Sequence, residues 1–266
     1  MGGILEEAYY SQDIREKRPH YHHSHQILLI LEGEAEICVN GVSSQAGPGK
    51  LVLFSRYENH AVTVRSKTYS RFVLQIQPPV EQRENRSFAV LSNRPKGFGN
   101  VIDVADDLAG FRALMAAIVE EFGSKDSMAE EMRQLLVQQL LIRICRRCPE
   151  VLELYESEKN ALVFDLQKRF ETRFAENYQL RLLAKEYAIS VSSLSHRFKE
   201  VTGVAVMDYL LSCRIAAAKQ YLTETKTDIG QIVELCGFSD CSNFGRTFKR
   251  MTGLSPSGFR ERYGQK

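Results

Sequence analysis

The chain has 266 residues, enough for two ordinary domains, and its 44% hydrophobic and 26% charged residues are typical of globular proteins. No apolar run reaches the roughly 18 residues of a membrane span, and the first residues lack the pattern of a secretory leader, so we expect a cytoplasmic protein with no membrane partner. The net charge is +2, but residues 159–266 hold 17 Lys and Arg against 11 Asp and Glu, and residues 1–158 hold 18 against 22. This asymmetry favours a polyanionic partner for the C-terminal half.

Residues 9–77 have the pattern of a small antiparallel β-barrel or sandwich. Short segments rich in β-branched and aromatic residues alternate with turn-forming residues. Asn40-Gly41 between two apolar runs is typical of a hairpin. The predicted strands are Ile27–Leu31, Ala35–Val39, Lys50–Ser55, Ala61–Val64 and Ser70–Ile76, followed by an irregular stretch to about Asp103.

Two longer helices follow, over Asp106–Phe122 and Ser127–Arg147, where apolar residues recur at helical spacing. The second helix is apolar around much of its circumference. Two arrangements explain this pattern: packing against the first helix and the barrel, or self-association of two chains. The charged residues 151–159 are predicted to be a linker between a domain at 1–150 and a domain at 160–266.

The six cysteines are expected to be structural thiols. Only Cys145 and Cys148 form a CxxC pair, and it has neither a second pair at zinc-site spacing nor a βαβ context. The sequence also lacks a nucleophile elbow and a phosphate-binding loop. We therefore expect no cofactor, no metal and no enzymatic activity.

An internal repeat is the strongest feature of the C-terminal half. Leu194–Gly203 aligns with Phe244–Gly253 at an offset of 50, with identical residues at Phe198/Phe248, Lys199/Lys249, Thr202/Thr252 and Gly203/Gly253. A short amphipathic helix precedes each copy, so the sequence predicts two helix-turn-helix units. The predicted helices are 160–175, 179–188, 191–202, 205–223, 228–236, 240–252 and 256–263.

Each second helix of the repeat has one apolar stripe and one polar stripe. The polar stripe can enter the major groove of duplex DNA, where hydroxyl groups and arginine read base edges and lysine contacts phosphates. The intervening helix, about 28 Å long, could hold the two reading helices nearly one DNA turn apart. The expected DNA contacts are Ser192, Ser193, Ser195, His196 and Lys199 in the first copy, and Cys241, Ser242, Gly245, Arg246, Lys249 and Arg250 in the second.

One set of residues in the C-terminal half forms a recognisable pattern: Leu183-Ala184, Ser192, Leu194, Arg214, Ala217, Ile232, Gly237-Phe238-Ser239-Asp240, Asn243-Phe244, Arg246, Phe248-Lys249 and Thr252-Gly253-Leu254-Ser255-Pro256. With this pattern, residues 160–263 resemble the DNA-binding domain of the AraC/XylS-type transcriptional regulators. The resemblance implies seven helices and binding to two adjacent major-groove segments, with Gly237 and Asp240 shaping and capping the second reading helix. His196 stands where the family often has arginine.

The N-terminal half resembles the cupin-type barrel of such regulators. In enzymatic cupins the same spacing supplies three histidines and a glutamate to a metal, but Gln26 takes the place of the glutamate here. Three interpretations stay open: a pocket for a sugar or other small metabolite, a purely structural barrel, and a metal site. The candidate polar anchors of the effector pocket are His20, His22, Gln26 and His60.

These patterns together predict an α+β protein. A cupin-like antiparallel β-barrel with a helical dimerisation segment would precede an all-α domain with two helix-turn-helix motifs. The expected function is that of a sequence-specific transcription regulator, a homodimer that binds promoter DNA and a small effector, with RNA polymerase left open as a further partner. The alternative functions are a metal-dependent cupin enzyme with a helical appendage and a protein-binding scaffold.

Overall fold

The computed structural model describes residues 3–14, 24–39, 41–56, 58, 60–78, 85–92, 99–156 and 160–264. The chain forms two compact units, and the main division falls between Asn160 and Ala161. Within the described residues, no single helix has the length and apolarity that a membrane span requires. One pair of consecutive helices, Val191–Thr202 and Val206–Glu224, meets the length and composition criteria only when taken together, and the chain bends by 56° between them.

Two antiparallel sheets form the first half of the N-terminal unit. In the described residues the larger sheet has the strand order β1-β7-β2-β5-β8 and the smaller sheet has the order β4-β3-β6. The strands are β1 (Leu5–Ser11), β2 (His25–Glu32), β3 (Ala35–Val39), β4 (Val42–Ala46), β5 (Lys50–Phe54), β6 (His60–Val64), β7 (Ser70–Ile76) and β8 (Val101–Asp103).

Successive residues of β2 and β7 lie on opposite faces of the larger sheet, as the two-residue period of a strand requires. Leu28, Ile30 and Val73 join the core between the two sheets. Ile27 and Leu74 join a second core, which the sheet shares with helices. Both faces of these central strands are therefore buried, which explains the uninterrupted apolar runs Ile27–Leu31 in β2 and Phe72–Leu74 in β7.

Four α-helices complete the described part of the N-terminal unit. They are α1 (Ala89–Ser92), α2 (Leu108–Gly123), α3 (Ala129–Arg147) and α4 (Pro149–Glu156). Phe111 and Met115 of α2 and Leu140 and Ile144 of α3 are fully buried against the sheet. Helix α4 corrects the linker prediction for residues 151–156, because the chain stays helical to Glu156 and Val151 is fully buried in this core. Residues 157–159 of the predicted linker lie outside the described residues.

Residues 160–264 form seven helices, each within three residues of its predicted bounds at both ends. They are α5 (Ala161–Thr172), α6 (Leu180–Glu186), α7 (Val191–Thr202), α8 (Val206–Glu224), α9 (Ile229–Leu235), α10 (Cys241–Thr252) and α11 (Pro256–Tyr263). The antiparallel sheets and this all-helical unit confirm the predicted α+β fold.

Candidate nucleic-acid interface

The first helix-turn-helix copy consists of α6 and α7. The ring of Phe198 lies 6.4 Å from that of Phe170 on α5 and 5.5 Å from that of Tyr209 on α8, measured between centroids. These contacts fix which stripe of α7 faces inward. The buried side chains of the two helices are Leu183, Ala184, Leu194, Phe198, Val201 and Thr202.

The second copy, α9 and α10, repeats this packing. The ring centroid of Phe248 lies 5.5 Å from that of Phe244 and 5.4 Å from that of Phe259 on α11. Ile215, Ala218 and Leu222 of α8 complete the core. The repeat in the sequence is therefore a structural repeat with an aromatic residue at the centre of each copy.

Each reading helix begins with a side-chain cap. The Oγ of Ser190 accepts a hydrogen bond from the backbone N–H of Ser193 at 3.0 Å. Fifty residues later, Oδ1 of Asp240 accepts one from the N–H of Asn243 at 2.6 Å, which confirms the capping role predicted for Asp240. Ser193 Oγ also lies 2.9 Å from Ser190 Oγ, so the cap engages one of the predicted DNA contacts.

The turn between the two helices of each copy contains one residue with a positive φ. This residue is Ala188 in the first copy (φ 54°) and Gly237 in the second (φ 72°), at an offset of 49. A Cβ on Gly237 would lie 2.5 Å from the carbonyl oxygen of Ala175. Glycine at 237 is therefore required both by the backbone angle and by the neighbouring chain.

Helix α8 supports both copies and is held by Arg214. The guanidinium donates from Nε to the carbonyl of Phe174 at 2.9 Å and from Nη2 to the carbonyl of Glu176 at 2.8 Å. It also lies over the ring of Phe238 at 5.9 Å from the centroid. Burial lowers the pKa of Arg214. Arg214 thus joins the loop after α5 to the turn of the second copy.

The structure places most of the predicted DNA contacts on the outer stripes of α7 and α10. On α7, Ser192, His196 and Lys199 are exposed, and Ser193 and Ser195 are half-buried. Of the predicted contacts on α10, Gly245 is half-buried and the other five are exposed: Cys241, Ser242, Arg246, Lys249 and Arg250.

The two outer stripes differ in charge. Residues 241–252 contain three cationic side chains and no carboxylate, whereas residues 191–202 contain Arg197 and Lys199 together with Glu200. Helix α10 therefore presents the stronger attraction for phosphates.

Two further polar side chains lie on these stripes that the sequence analysis did not predict as DNA contacts. Asn243 is exposed beside Ser242, and Arg197 is half-buried beside His196. Neither residue was among the expected DNA contacts, because Asn243 was considered only as part of the family pattern and Arg197 is adjacent to the apolar stripe. A helical projection anchored on Phe198 and Phe244 would have identified both.

The predicted effector anchors fall only partly within the described residues. His20 and His22 lie outside them. Gln26 is 7% exposed and, by strand alternation, faces the core between the sheets. His60 stacks on Phe54 with 3.8 Å between ring centroids, and its Nδ1 lies 2.9 Å from the carbonyl oxygen of Glu58.

The described half of this set does not form a metal centre. An amide occupies the position of the anionic ligand at Gln26, and one ring nitrogen of His60 is engaged by the backbone. The described residues also contain no group of three His, Cys, Asp or Glu side chains suited to a metal ion. Elsewhere in this unit, burial raises the pKa of the Cys148 thiol to about 11, as expected for a structural cysteine.

Helix α3 has an apolar stripe that its own unit does not cover. Val137, Leu140 and Ile144 are fully buried, so the prediction that α3 packs against the barrel is correct. The remaining apolar side chains recur on the opposite side, and those at least 38% exposed are Met128 at the helix start, Met132, Leu135 and Ile142.

Comparison with known proteins gives one family match in each unit. The family described as "Helix-turn-helix domain" matches residues 183–262, and the family described as "Cupin domain" matches residues 13–75. The chain is 22% identical over 247 residues to the HTH-type transcriptional activator RhaR of Pectobacterium atrosepticum, covering 92% of this chain and 86% of that protein. It is 23% identical over 254 residues to the activator RhaS of Escherichia coli, covering 91% and 87%.

Solved structures show the same two-unit architecture. The unsaturated fatty acid-bound ToxT of Vibrio cholerae superposes with a TM-score of 0.61 at 15% identity, over 97% of this chain and 96% of that one. At this level of identity the likeness concerns the fold.

Proposed function

Because the chain belongs to the AraC/XylS-type transcriptional regulators, we propose that it recognises promoter DNA through the outer stripes of α7 and α10. It acts in the cytoplasm as a homodimer without enzymatic activity, and a small molecule in the cupin-like unit controls it. The observation that carries the proposal is the duplicated reading helix, capped at Ser190 and Asp240 and packed on the shared helix α8.

Selection of bound sequences from random duplex DNA tests the proposal directly. If α7 and α10 each read a major-groove segment, the recovered sites should contain two conserved blocks whose centres are separated by about one helical turn of 10–10.5 base pairs per chain. Recovery of a single short block would contradict simultaneous reading by both helices. Absence of any mobility shift at low salt would favour the protein-binding scaffold instead.

Replacing Arg246 by alanine should weaken binding to the selected site by about 1–3 kcal/mol and relax the base preference in the α10 block. Arg246 is exposed on the outer stripe of α10 and can donate two hydrogen bonds to one guanine. The measurement is a titration by fluorescence anisotropy with specific and random duplexes.

Arg112→Ala is the matched control, because Arg112 is exposed on α2 in the N-terminal unit and its loss changes the net charge equally. This control should leave the ratio of specific to random affinity unchanged. An equal loss in both variants would mean that Arg246 acts only through its charge.

The exposed stripe of α3 is proposed as the dimer contact. Introducing a lysine at Leu135, which is 62% exposed, should convert the dimer to a monomer in sedimentation equilibrium, because it places a charge in an apolar interface. The unfolding temperature of the monomer unit should change little, since the side chain makes few contacts within its own chain. Ala116→Lys, at an exposed site on α2, should remain dimeric. A dimer that survives Leu135→Lys assigns the contact elsewhere.

The cupin-like unit is proposed to bind the effector between its two sheets. Gln26 and His60 lie in this unit, and the fold is the one in which ToxT has been solved with an unsaturated fatty acid bound. Gln26 and His60 make polar contacts with the effector. Helices α3 and α4 connect this unit along the chain to the residues that precede the DNA-binding helices.

A further inference from the structure

Arg71 is an arginine of β7 that is buried inside the β-sandwich. It is 8% exposed, and its Nε has no partner among the described residues. By strand alternation with Val73, its side chain lies on the face of β7 that is turned toward the core between the sheets. Arginine stays protonated in proteins, so this core contains a permanent positive charge.

The surroundings of Arg71 provide an aromatic surface but, among the described residues, no carboxylate at ion-pair distance; the charges of Glu7 and Asp13 act on the neighbouring Tyr9. The guanidinium lies over the ring of Tyr69 at 5.0 Å from the centroid, and Tyr69 is 2% exposed. Arg71 forms no ion pair with a carboxylate in the part of the chain that the structure describes. A cation–π contact offsets only part of the free energy lost when a guanidinium leaves water.

Two phenol groups border the same position. The hydroxyl of Tyr69 is buried without a hydrogen-bond partner among the described residues. Burial raises its pKa, and the charge and close approach of the Arg71 guanidinium oppose that shift. Tyr9 on the neighbouring strand β1 also lies near Arg71. Burial raises the pKa of Tyr9, and the charge of Arg71 opposes part of that rise.

This cluster of Arg71 with its two tyrosines is separate from the predicted anchors. Arg71 is paired in register with Ile30 and Ser11, whereas Gln26 is paired with Gln75. Four residues along β7 separate the two positions, or about 13 Å. Beside Tyr69, the turn at Gly33 packs so closely on Thr68 that an added Cβ would lie 2.0 Å from the Thr68 carbonyl oxygen. The cluster therefore lies beside a tightly packed turn.

We propose that Arg71 and Tyr69 form an oxyanion subsite, and that the effector of this regulator carries a carboxylate or phosphate group that binds there. A guanidinium stacked on a ring on one face leaves its N–H edge available for a bidentate contact with a planar carboxylate. The hydroxyl of Tyr69 supplies a further donor. The assignment rests on the proposed role of the cupin-like unit as an effector domain.

The test uses the full chain with formate, the smallest carboxylate, inorganic phosphate, and formamide as a neutral molecule of the same shape as formate. At constant ionic strength, formate or phosphate should raise the unfolding temperature of the N-terminal unit and cause a saturable shift of one arginine Nε–H resonance. Formamide should do neither. Comparison of the response to formate with the response to phosphate shows whether the effector's anionic group is a carboxylate or a phosphate. The subsite is refuted if neither anion has a saturable effect.

Arg71→Met removes the charge and keeps much of the side-chain volume. It should abolish that resonance and weaken anion binding at least about tenfold, equivalent to about 1.4 kcal/mol. Without anion its unfolding temperature should equal or exceed that of the native chain, because an uncompensated buried charge is lost. A marked loss of stability without anion would instead identify Arg71 as a structural residue and overturn the proposal.

Arg65→Met is the matched control, since Arg65 is 54% exposed and pairs with Glu36 on the smaller sheet's surface. It should respond to formate or phosphate as the native chain does, and an anion response that persists in Arg71→Met would also refute the subsite. DNA binding is measured in parallel without anion. If the native chain fails to bind DNA but the anion results hold, the proposed function is wrong and the subsite stands.

Discussion

Replacing Gly237 by alanine should destabilise the DNA-binding unit by about 2–4 kcal/mol, through about 1 kcal/mol of backbone strain and about 1–3 kcal/mol of overpacking. Gly237 has a φ of 72°, and an added Cβ would lie 2.5 Å from the carbonyl oxygen and 2.8 Å from the Cα of Ala175. Both atoms belong to the backbone, so rotation of a side chain cannot relieve the overlap. The measurement is urea unfolding of the full chain followed by hydrogen exchange of the amides in α8–α11.

The first copy of the repeat supplies the control. Ala188 occupies the position of Gly237 in the first copy, with a φ of 54° that L residues rarely adopt. Ala188→Gly should therefore raise stability by up to about 1 kcal/mol, opposite in sign to Gly237→Ala. If both substitutions changed stability in the same direction, the two turns would not be equivalent, and the structural repeat would end before them.

Gly237→Ala should also change DNA recognition more than its stability effect implies. Arg214 binds the carbonyls on either side of Ala175, so a displaced Ala175 segment disturbs the contact between α8 and the turn that precedes α10. The position of one reading helix relative to the other would shift. We expect the conserved blocks selected by this variant to differ in spacing, although the side chains that contact the bases are unchanged.

Local patterns determined how much of the helical unit could be predicted. The caps, the glycine turns and the spacing of Phe198 and Phe248 are all encoded within about ten residues of where they act, so helix bounds and the inward stripe could be derived directly. The positive φ of Ala188 could not, because alanine carries no signal for that conformation. Only the alignment of Ala188 with Gly237 indicates a positive φ at this position.

Long-range pairing limited what could be predicted for the N-terminal unit. Strand β8 has three residues and is defined by its pairing with β5, and β4 has a polar sequence with a buried Ala46 only at its end. Neither has the alternation that identifies a strand. The charged composition of α4 predicted a linker, but the fully buried Val151 shows that α4 packs in the N-terminal core.

The effector site could also be predicted only in part from the sequence. The cupin motif predicted His60 and Gln26 as candidate anchors. Arg71 belongs to no motif, and in the sequence Ser70-Arg71-Phe72 it could equally be the exposed residue of an edge strand. Only the pairing of β7 between β1 and β2 shows that the charge is buried.

Replacing Phe248 by alanine should have the largest effect of any substitution considered, about 3–5 kcal/mol of lost stability. Phe248 is fully buried and contacts the rings of Phe244 and Phe259, so its removal leaves a cavity at the centre of the second copy. Phe248→Leu keeps most of the volume and should cost less than about 1.5 kcal/mol. Urea unfolding of the three proteins measures the difference, and equal losses for alanine and leucine would mean that the ring is not packed as described.

Phe198→Ala makes the equivalent cavity in the first copy, and its comparison with Phe248→Ala tests how the two copies communicate. Helix α8 gives Tyr209 to the first core and Leu222 to the second, so weakening either core removes support from the same helix. Hydrogen exchange should therefore show faster opening of amides in both copies for each variant. If each variant affected only its own copy, α8 would act as a rigid spacer, and the two reading helices would bind their grooves as independent modules held at a fixed distance.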